Sequence, residues 1–318
     1  MRNLIRCLAL ATLLPLAAAG QQFPNKAVRL MVPFPPGGAT DIIGRLVAAK
    51  MQEVWGQPVV VENKPGAGTV VGTEYVAKSA PDGYTLGMVV TAYVINPSLR
   101  TDLPYNTLKD LAGVTQVSVQ HLVMAAHPSL PANNIPELIA LAKKEPGKLA
   151  YATPGSGTAM HLSVEMLKTS AGVDLVHVPY KGGAPAQQDV MSGRVPILMD
   201  VLYAVQPLIK SGRIKVLALL SPQRAPESPE YPVVSESVPG VSALSLVGIV
   251  APAATPRELV NRISGDIARQ VKSSDLTERM KQQGMEPIGS SPEQFDALIR
   301  AEMEKWAKVV KQSGAKVD

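Results

Sequence analysis

From residue 26 onward, short and almost continuous apolar runs alternate with stretches in which apolar residues recur every three or four positions. That alternation predicts a parallel α/β architecture. "AVRLMVPF" at 27–34 reads as a buried strand, and Asp41 to Trp55 as a helix with Ile43, Val47, Met51 and Val54 along one side. "QPVVVEN" at 57–63 is the next strand, and "KPGAGTVVG" turns the chain into a helix from about Thr69 to Lys78. "PDG" at 81–83 is a turn and "YTLGMVV" a third strand. Uninterrupted apolar runs suit strands covered on both faces.

The middle of the chain repeats this style. "IPELIALAKKEPGK" is a helix with proline in its first turn and a glycine stop. Strand "LAYAT", loop "PGSGT" and a helix from Ala159 to Lys168 follow; then strand "DLVHVPY", loop "KGGAP", a helix through Gln187 to Met191, and strands "VPILMD" and "IKVLALL". "SPQRAPESPEYPVV" is polar and proline-rich, hence surface loop. The tail holds two amphipathic helices, "TPRELVNRISGDIARQVK" and "SPEQFDALIRAEMEKWAKVVKQ", each introduced by a Ser/Thr-Pro cap sequence. No solenoid period or low-complexity tract is present.

Length changes the picture first: 318 residues suffice for a large core and suggest two domains. With 46% apolar and 18% charged residues the chain reads as soluble and globular. Arg2 and Arg6 precede the apolar run "CLALATLLPLAAA", which closes on small residues, so residues 1–19 read as a secretory signal peptide cleaved near Ala19. The only cysteine, Cys7, lies inside that leader. The exported chain is therefore expected to have neither disulfide nor thiolate chemistry, and no lipid anchor. Loss of Arg2 and Arg6 lowers the formal charge from +5 to +3, and the remaining cations are dispersed, which argues against nucleic-acid binding.

Four loops share one physical logic: "PFPPGGATD", "NKPGAGTVVG", "TPGSGTAMH" and "YKGGAPAQQD". Each follows an apolar strand, carries glycines that let a ligand approach the backbone, and feeds a helix N-terminus, where free N–H groups favour an anion. Glycine and proline also simply punctuate strand-to-helix turns, and for a single loop that bland role is preferred. Four in succession favour a ligand cleft. Nucleotide readings fail on spacing: there is no G-x-x-x-x-G-K-[ST], and "GAGTVVG" is followed by a strand ending in Thr91 and Ala92, with no acid to hold a ribose. No catalytic residue emerges. Ser156 lacks the flanking glycines of a nucleophile elbow, since Pro154 and Thr158 stand there, and His161 is placed on a helix where it packs over the loop. His121, His127 and His177 lack metal-ligand spacing and are read as structural, so neither metal nor cofactor is expected. Asp41 stands at the N-cap or in the first turn of its helix and is read as fixing the helix mouth. Asp200 closes "VPILMD", where it either caps the next helix or accepts a hydrogen bond from a ligand.

"PFPPGGATDIIGR", "ENKPGAGTVVGTEYVAKSAPDGYTL", "GSGTAMHLSVEML", "VHVPYKGGAPAQQDVMSGRVPILMD" and "GIVAPAATP", in this order behind a leader, resemble the substrate-binding proteins of tripartite tricarboxylate transporters, the Bordetella uptake gene family. The resemblance covers nearly the whole mature chain. It implies two doubly wound α/β domains of the type 2 periplasmic-binding-protein architecture, one from 23–121 with 248–318 and the other from 122–247. The crossings would lie near "HLVMAAHP" and "SLVGIVAP" and the cleft between the domains. It also implies that a carboxylate is held by main-chain N–H groups and hydroxyls, at Phe34, Gly37, Gly38, Ala39 and Thr40 of the first loop. The corresponding positions elsewhere are Gly68, Thr69, Thr91, Thr153, Gly155, Ser156, Gly157, Thr158, Lys181, Gly182 and Asp200. Leu246-Val247 stand where many relatives carry aromatic residues, and Thr69 where glycine is common. The function implied is a periplasmic, monomeric receptor that delivers a small organic acid to the membrane subunits of a transporter. A ligand sensor with no transport role, and an exported hydrolase, are the alternatives.

Overall fold

The structure, a computed structural model, describes residues 23–225 and 228–315; the leader assigned to residues 1–19 lies outside the described residues. The chain opens with β1 (Val28–Val32), α1 (Ala39–Trp55) and β2 (Val59–Asn63). A single 3-10 turn (Ala67–Thr69) leads into α2 (Val70–Ala77), then β3 (Thr85–Val90) and α3 (Ala92–Leu99). A 16-residue strand, β4 (Leu111–Ala126), leads to α4 (Ile135–Lys144), β5 (Ala150–Thr153), α5 (Ala159–Ala171) and β6 (Val176–Pro179). Next come α6 (Gly183–Met191), β7 (Ile197–Val201), α7 (Leu202–Lys210) and β8 (Lys215–Leu219). The chain returns through β9 (Leu244–Pro252) to α8 (Arg257–Val271), α9 (Ser274–Gln282), β10 (Met285–Pro287) and α10 (Pro292–Ser313).

The strands lie in the order β2-β1-β3-β9-β4-β7-β5-β6, with β8 and β10 also on β4. β1 runs parallel to β2 and β3, and β5 parallel to β6 and β7, as their apolar runs predicted. Every pairing of β4 and β9 is antiparallel. Strand β4 carries two register shifts against β9, at Gly113/Thr115 and Gln116/Ser118, and one against β8, at Met124/Ala125; they break its inside–outside alternation and hide its length from a period-two reading.

The registers fix where the strand ends meet. Val90 at the end of β3 pairs with Val247, which pairs with Ser118 of β4, while Val201 at the end of β7 pairs with Leu122. Because β4 runs with β3 and against β7, the carboxyl ends of the two parallel strand groups point toward each other. Along β4 they are about 13 Å apart at the usual rise per residue.

Helix α10 packs across both groups. Its apolar face, Phe295, Ile299, Trp306 and Val309, shares one core with Met31, Val89 and Tyr93 on one side and Leu122, Tyr151 and Leu162 on the other. Gly248 of β9 has to be glycine, since a Cβ there would lie 2.1 Å from Phe295 Cζ. The predicted cap of α10 is realised: the Ser291 hydroxyl accepts from Gln294 N–H, and the Gln294 side chain closes the box onto Ser291 N–H. The matching cap on α8 is not. Its N-cap is Pro256, and the Thr255 hydroxyl is buried without a partner.

Candidate functional site

The loop after β1 enters α1 through Gly37, held at φ +85°, and Gly38, the N-cap in extended backbone. Gly38 has no side chain to cap the helix, so the first amides of α1, from Ala39 and Thr40 onward, remain open to an anion. Asp41 is a first-turn acid rather than the N-cap. Its Oδ2 accepts from Gly37 N–H at 2.8 Å and from Arg45 Nε at 2.9 Å, and its Oδ1 from Asn63 Nδ2 at 2.9 Å. Asn63 Nδ2 is equally close to the Phe34 carbonyl at 2.9 Å, so the end of β2 braces the loop of β1. Burial alone would raise the Asp41 pKa; the bonds from Arg45, Gly37 and Asn63 overcome it and hold the carboxyl at about 2. Above pH 4 Asp41 is therefore a fixed anion directed at the loop's underside, which shapes the mouth without contributing a titrating group.

After β2 the backbone is strained. Ala67 and Thr69 have φ of +44° and +81°, unusual for residues with a Cβ and most costly for a β-branched one. Thr69 is buried and its Oγ1 has no partner. The Gly68 carbonyl is tied down by Asn96 Nδ2 at 3.0 Å. Thr91, at the end of β3, accepts from Leu246 N–H at 3.0 Å, so its hydroxyl fastens the first strand group to the returning strand β9.

On the opposing side, Thr153 ends β5 and its hydroxyl lies 2.7 Å from His177 Nε2. Gly157 N–H donates to His161 Nδ1 at 3.1 Å, and Thr158 caps α5 by accepting from His161 N–H. His161 thus holds the loop from beneath, as its helical placement implied. His177 stacks on His161 with ring centroids 3.9 Å apart and planes 8° from parallel, and Tyr151 stacks on the other side of His177 at 4.9 Å. Desolvation drives the pKa of His177 down to about 3, helped by His161 and Lys168 nearby; His161 is also lowered, chiefly by burial. Gly155 and Ser156 are half-buried at the loop tip.

Gly182 N–H donates to the Pro154 carbonyl at 3.0 Å, which ties the loop after β6 to the loop after β5. Gly182 is also the N-cap of α6 and offers it no side chain. Lys181 is exposed. Asp200 is buried and pushed above its ordinary pKa by desolvation, against the pull of Gln187 Nε2 and Val201 N–H at 2.9 and 2.8 Å. It does not cap the following helix: Val201 is the N-cap of α7, with no side-chain bond. Its Oδ2 instead sits so near Gly183 that a Cβ there would come within 3.0 Å, so Asp200 seats the start of α6.

The structure thus brings Phe34 to Asp41, Gly68, Thr69 and Thr91 to one edge, and Thr153 to Thr158, Lys181, Gly182 and Asp200 to the edge facing it. The sequence does not single out Asn63, Asn96, Gln187 or Tyr151, and although it marks His161 as packing over the loop and His177 as structural, it does not show that the two rings stack. Asn63 ends the run "VVVEN", and a polar residue closing an apolar strand is the one signal that would have marked it. A surface groove of about 890 Å³ lies elsewhere, over β1, β2 and α2. Its cations are already engaged: Lys26 by Asp82 and the Tyr84 ring, Arg29 by the Tyr75 hydroxyl, Lys64 by the Tyr75 ring.

Two parallel strand groups joined by long antiparallel strands, with glycine-rich loops facing across the junction, define a periplasmic-binding-protein fold. The chain belongs to the tripartite tricarboxylate transporter family receptors, whose family model matches residues 43–315. This is a family of solute receptors, not enzymes. An R. palustris protein solved with adipate is 34% identical, with a TM-score of 0.84 over 93% of this chain and 100% of that one. The periplasmic binding protein BugD is 33% identical, with a TM-score of 0.80 over 92% and 99%. MatC from Rhodopseudomonas palustris, with bound malate, is 29% identical, with a TM-score of 0.79 over 91% and 100%.

Proposed function

We propose that the protein is an exported periplasmic receptor, processed near Ala19, that closes two lobes over a small carboxylate and presents it as a monomer to the membrane subunits of a transporter. The lobes are 23–121 with 248–318, and 122–247. One carboxylate of the ligand sits against the loop from Phe34 to Thr40, with Gly68, Thr69 and Thr91 beside it. Thr153, Gly155 to Thr158, Lys181, Gly182 and Asp200 approach from the other lobe, Asp200 by positioning α6.

The observation that carries this reading is the opposition of strand carboxyl ends across residues 118–122 of β4, with uncapped helix N-termini of α1 and α6 on the two sides. Such ends attract anions and supply no base–nucleophile pair. A ligand in contact with both lobes favours the closed form by its differential affinity alone.

A melting-shift panel of mono-, di- and tricarboxylates, amino acids and nucleotides tests it. A cognate acid at 100 times its dissociation constant adds roughly 2.7 kcal/mol, or roughly 4 to 5 °C for a protein of this size. Stabilisation by nucleotides alone overturns the carboxylate reading.

A further inference from the structure

Beside the strained turn after β2 stands an arginine with no ion-pair partner among the described residues. Arg100, the C-cap of α3, makes no side-chain hydrogen bond or ion pair with any described residue, and its Nε is shut off from solvent without a partner. A Cβ placed at Gly68 would lie 3.5 Å from Arg100 Nη2 and 4.0 Å from Asn96 Oδ1, so the guanidinium looks onto the open side of the Gly68 backbone. Gly68 itself is exposed and Arg100 only partly buried, which leaves the outer edge of the guanidinium accessible. The next residue, Thr69, is 4% exposed, and its hydroxyl is also without a partner. Glu74 and Arg100 both act on the Tyr105 hydroxyl, but the Glu74 carboxylate is already engaged by Lys78.

A half-buried guanidinium and a buried hydroxyl, both unpaired at the same turn, are the complement of a planar anion, for which the fork of arginine is suited to bidentate binding. The position adds a constraint. β2 is the immediate parallel neighbour of β1, with Asn63 paired to Val32, so the turn at Gly68 flanks the loop at Gly37 and Gly38. Two anion-binding surfaces therefore lie side by side on one edge.

We propose that Arg100, with Gly68 and Thr69, forms a second anion subsite that takes the distal carboxylate of the ligand, which makes the receptor selective for dicarboxylates over monocarboxylates of the same length. This rests on the carboxylate-receptor reading above. Gly38 and the start of α1 hold one end of the ligand; Arg100 measures whether the other end is charged.

Calorimetric titration with three matched pairs, succinate and butyrate, glutarate and pentanoate, adipate and hexanoate, separates the two statements. At least one dicarboxylate is expected to bind ten-fold or more tightly than its partner. Arg100→Gln should reduce that dicarboxylate's affinity at least ten-fold and leave the monocarboxylate within two-fold, and Arg100→Lys should restore part of the difference. Melting of the unliganded variants should stay at the wild-type temperature. Equal affinities within every pair, or loss of both members alike in Arg100→Gln, overturns the subsite. Binding that Gly38→Asp abolishes and Arg100→Gln leaves unchanged overturns the subsite and spares the receptor; silence from all six acids overturns both.

Discussion

Gly38→Asp is expected to abolish carboxylate binding, with at least a 100-fold loss of affinity, while the protein melts no lower than the wild type. The backbone permits the change. Gly38 has φ −79° and ψ 168°, the extended conformation natural to an N-cap, and the nearest atom to a new Cβ is the Pro35 carbonyl oxygen at 3.8 Å. Aspartate is among the preferred N-cap residues and is a few tenths of a kcal/mol better there than glycine. Its carboxylate then takes the same first-turn amides of α1 that the ligand requires, and repels the anion besides. Gly37→Asp makes a poorer test, since φ +85° strains any side chain at that position. Calorimetry paired with a melting curve checks the prediction, and unchanged affinity in a folded Gly38→Asp protein removes this loop from the site.

The second large effect is a loss of stability in mild acid from the stack beneath the loop 153–158. His177 is held at about pKa 3 in the fold against about 6.5 in the unfolded chain. A depressed folded pKa means that the contribution is fully present above pH 6.5 and is lost as pH falls toward 3, because the unfolded chain takes up the proton first. One such histidine removes roughly 1.5 kcal/mol between pH 6.5 and pH 5, and His161, lowered in the same direction, adds to the slope. Melting temperature should therefore drop over this interval, and His177→Gln should flatten the drop even if its melting point at pH 7.5 is lower. A wild-type profile level from pH 7 to pH 5 would show that the stack accepts protons freely.

Several parts of this account were legible in the chain and several were not, for reasons that lie in particular elements. β1, β2, β3, β5, β6 and β7 are predominantly apolar runs with glycine or proline close to their ends, and so their positions and the loops after them are legible directly. β4 is not legible as a single strand, because its two register shifts against β9 put Gln116 and Ser118 out of phase with the apolar residues around them. α3 is hidden in the sequence because "AYVINPSL" is apolar nearly all round and contains Pro97. The facing of the two loop groups is a property of register between β3, β9, β4 and β7, which no local pattern encodes. Within the candidate site, glycines mark the loops where the backbone is left bare, whereas no local pattern marks the side chains that brace those loops. Asn63, Asn96, Gln187 and His177 act through hydrogen bonds to residues 13 to 29 positions away. Asp200 shows the same limit: the end of its strand was evident, but its choice of Gln187 and the start of α6 over the cap of α7 depended on how α6 packs.

The central claim is that one ligand is gripped from two opposing edges. Hydrogen exchange of the backbone amides, with and without the carboxylate that gives the largest melting shift, tests it most directly. The account predicts slowed exchange at 37–42 and 67–70 on one side and at 155–158 and 182–184 on the other, with the groove over β1, β2 and α2 unchanged. Protection confined to one side, or centred on that outer groove, would contradict it.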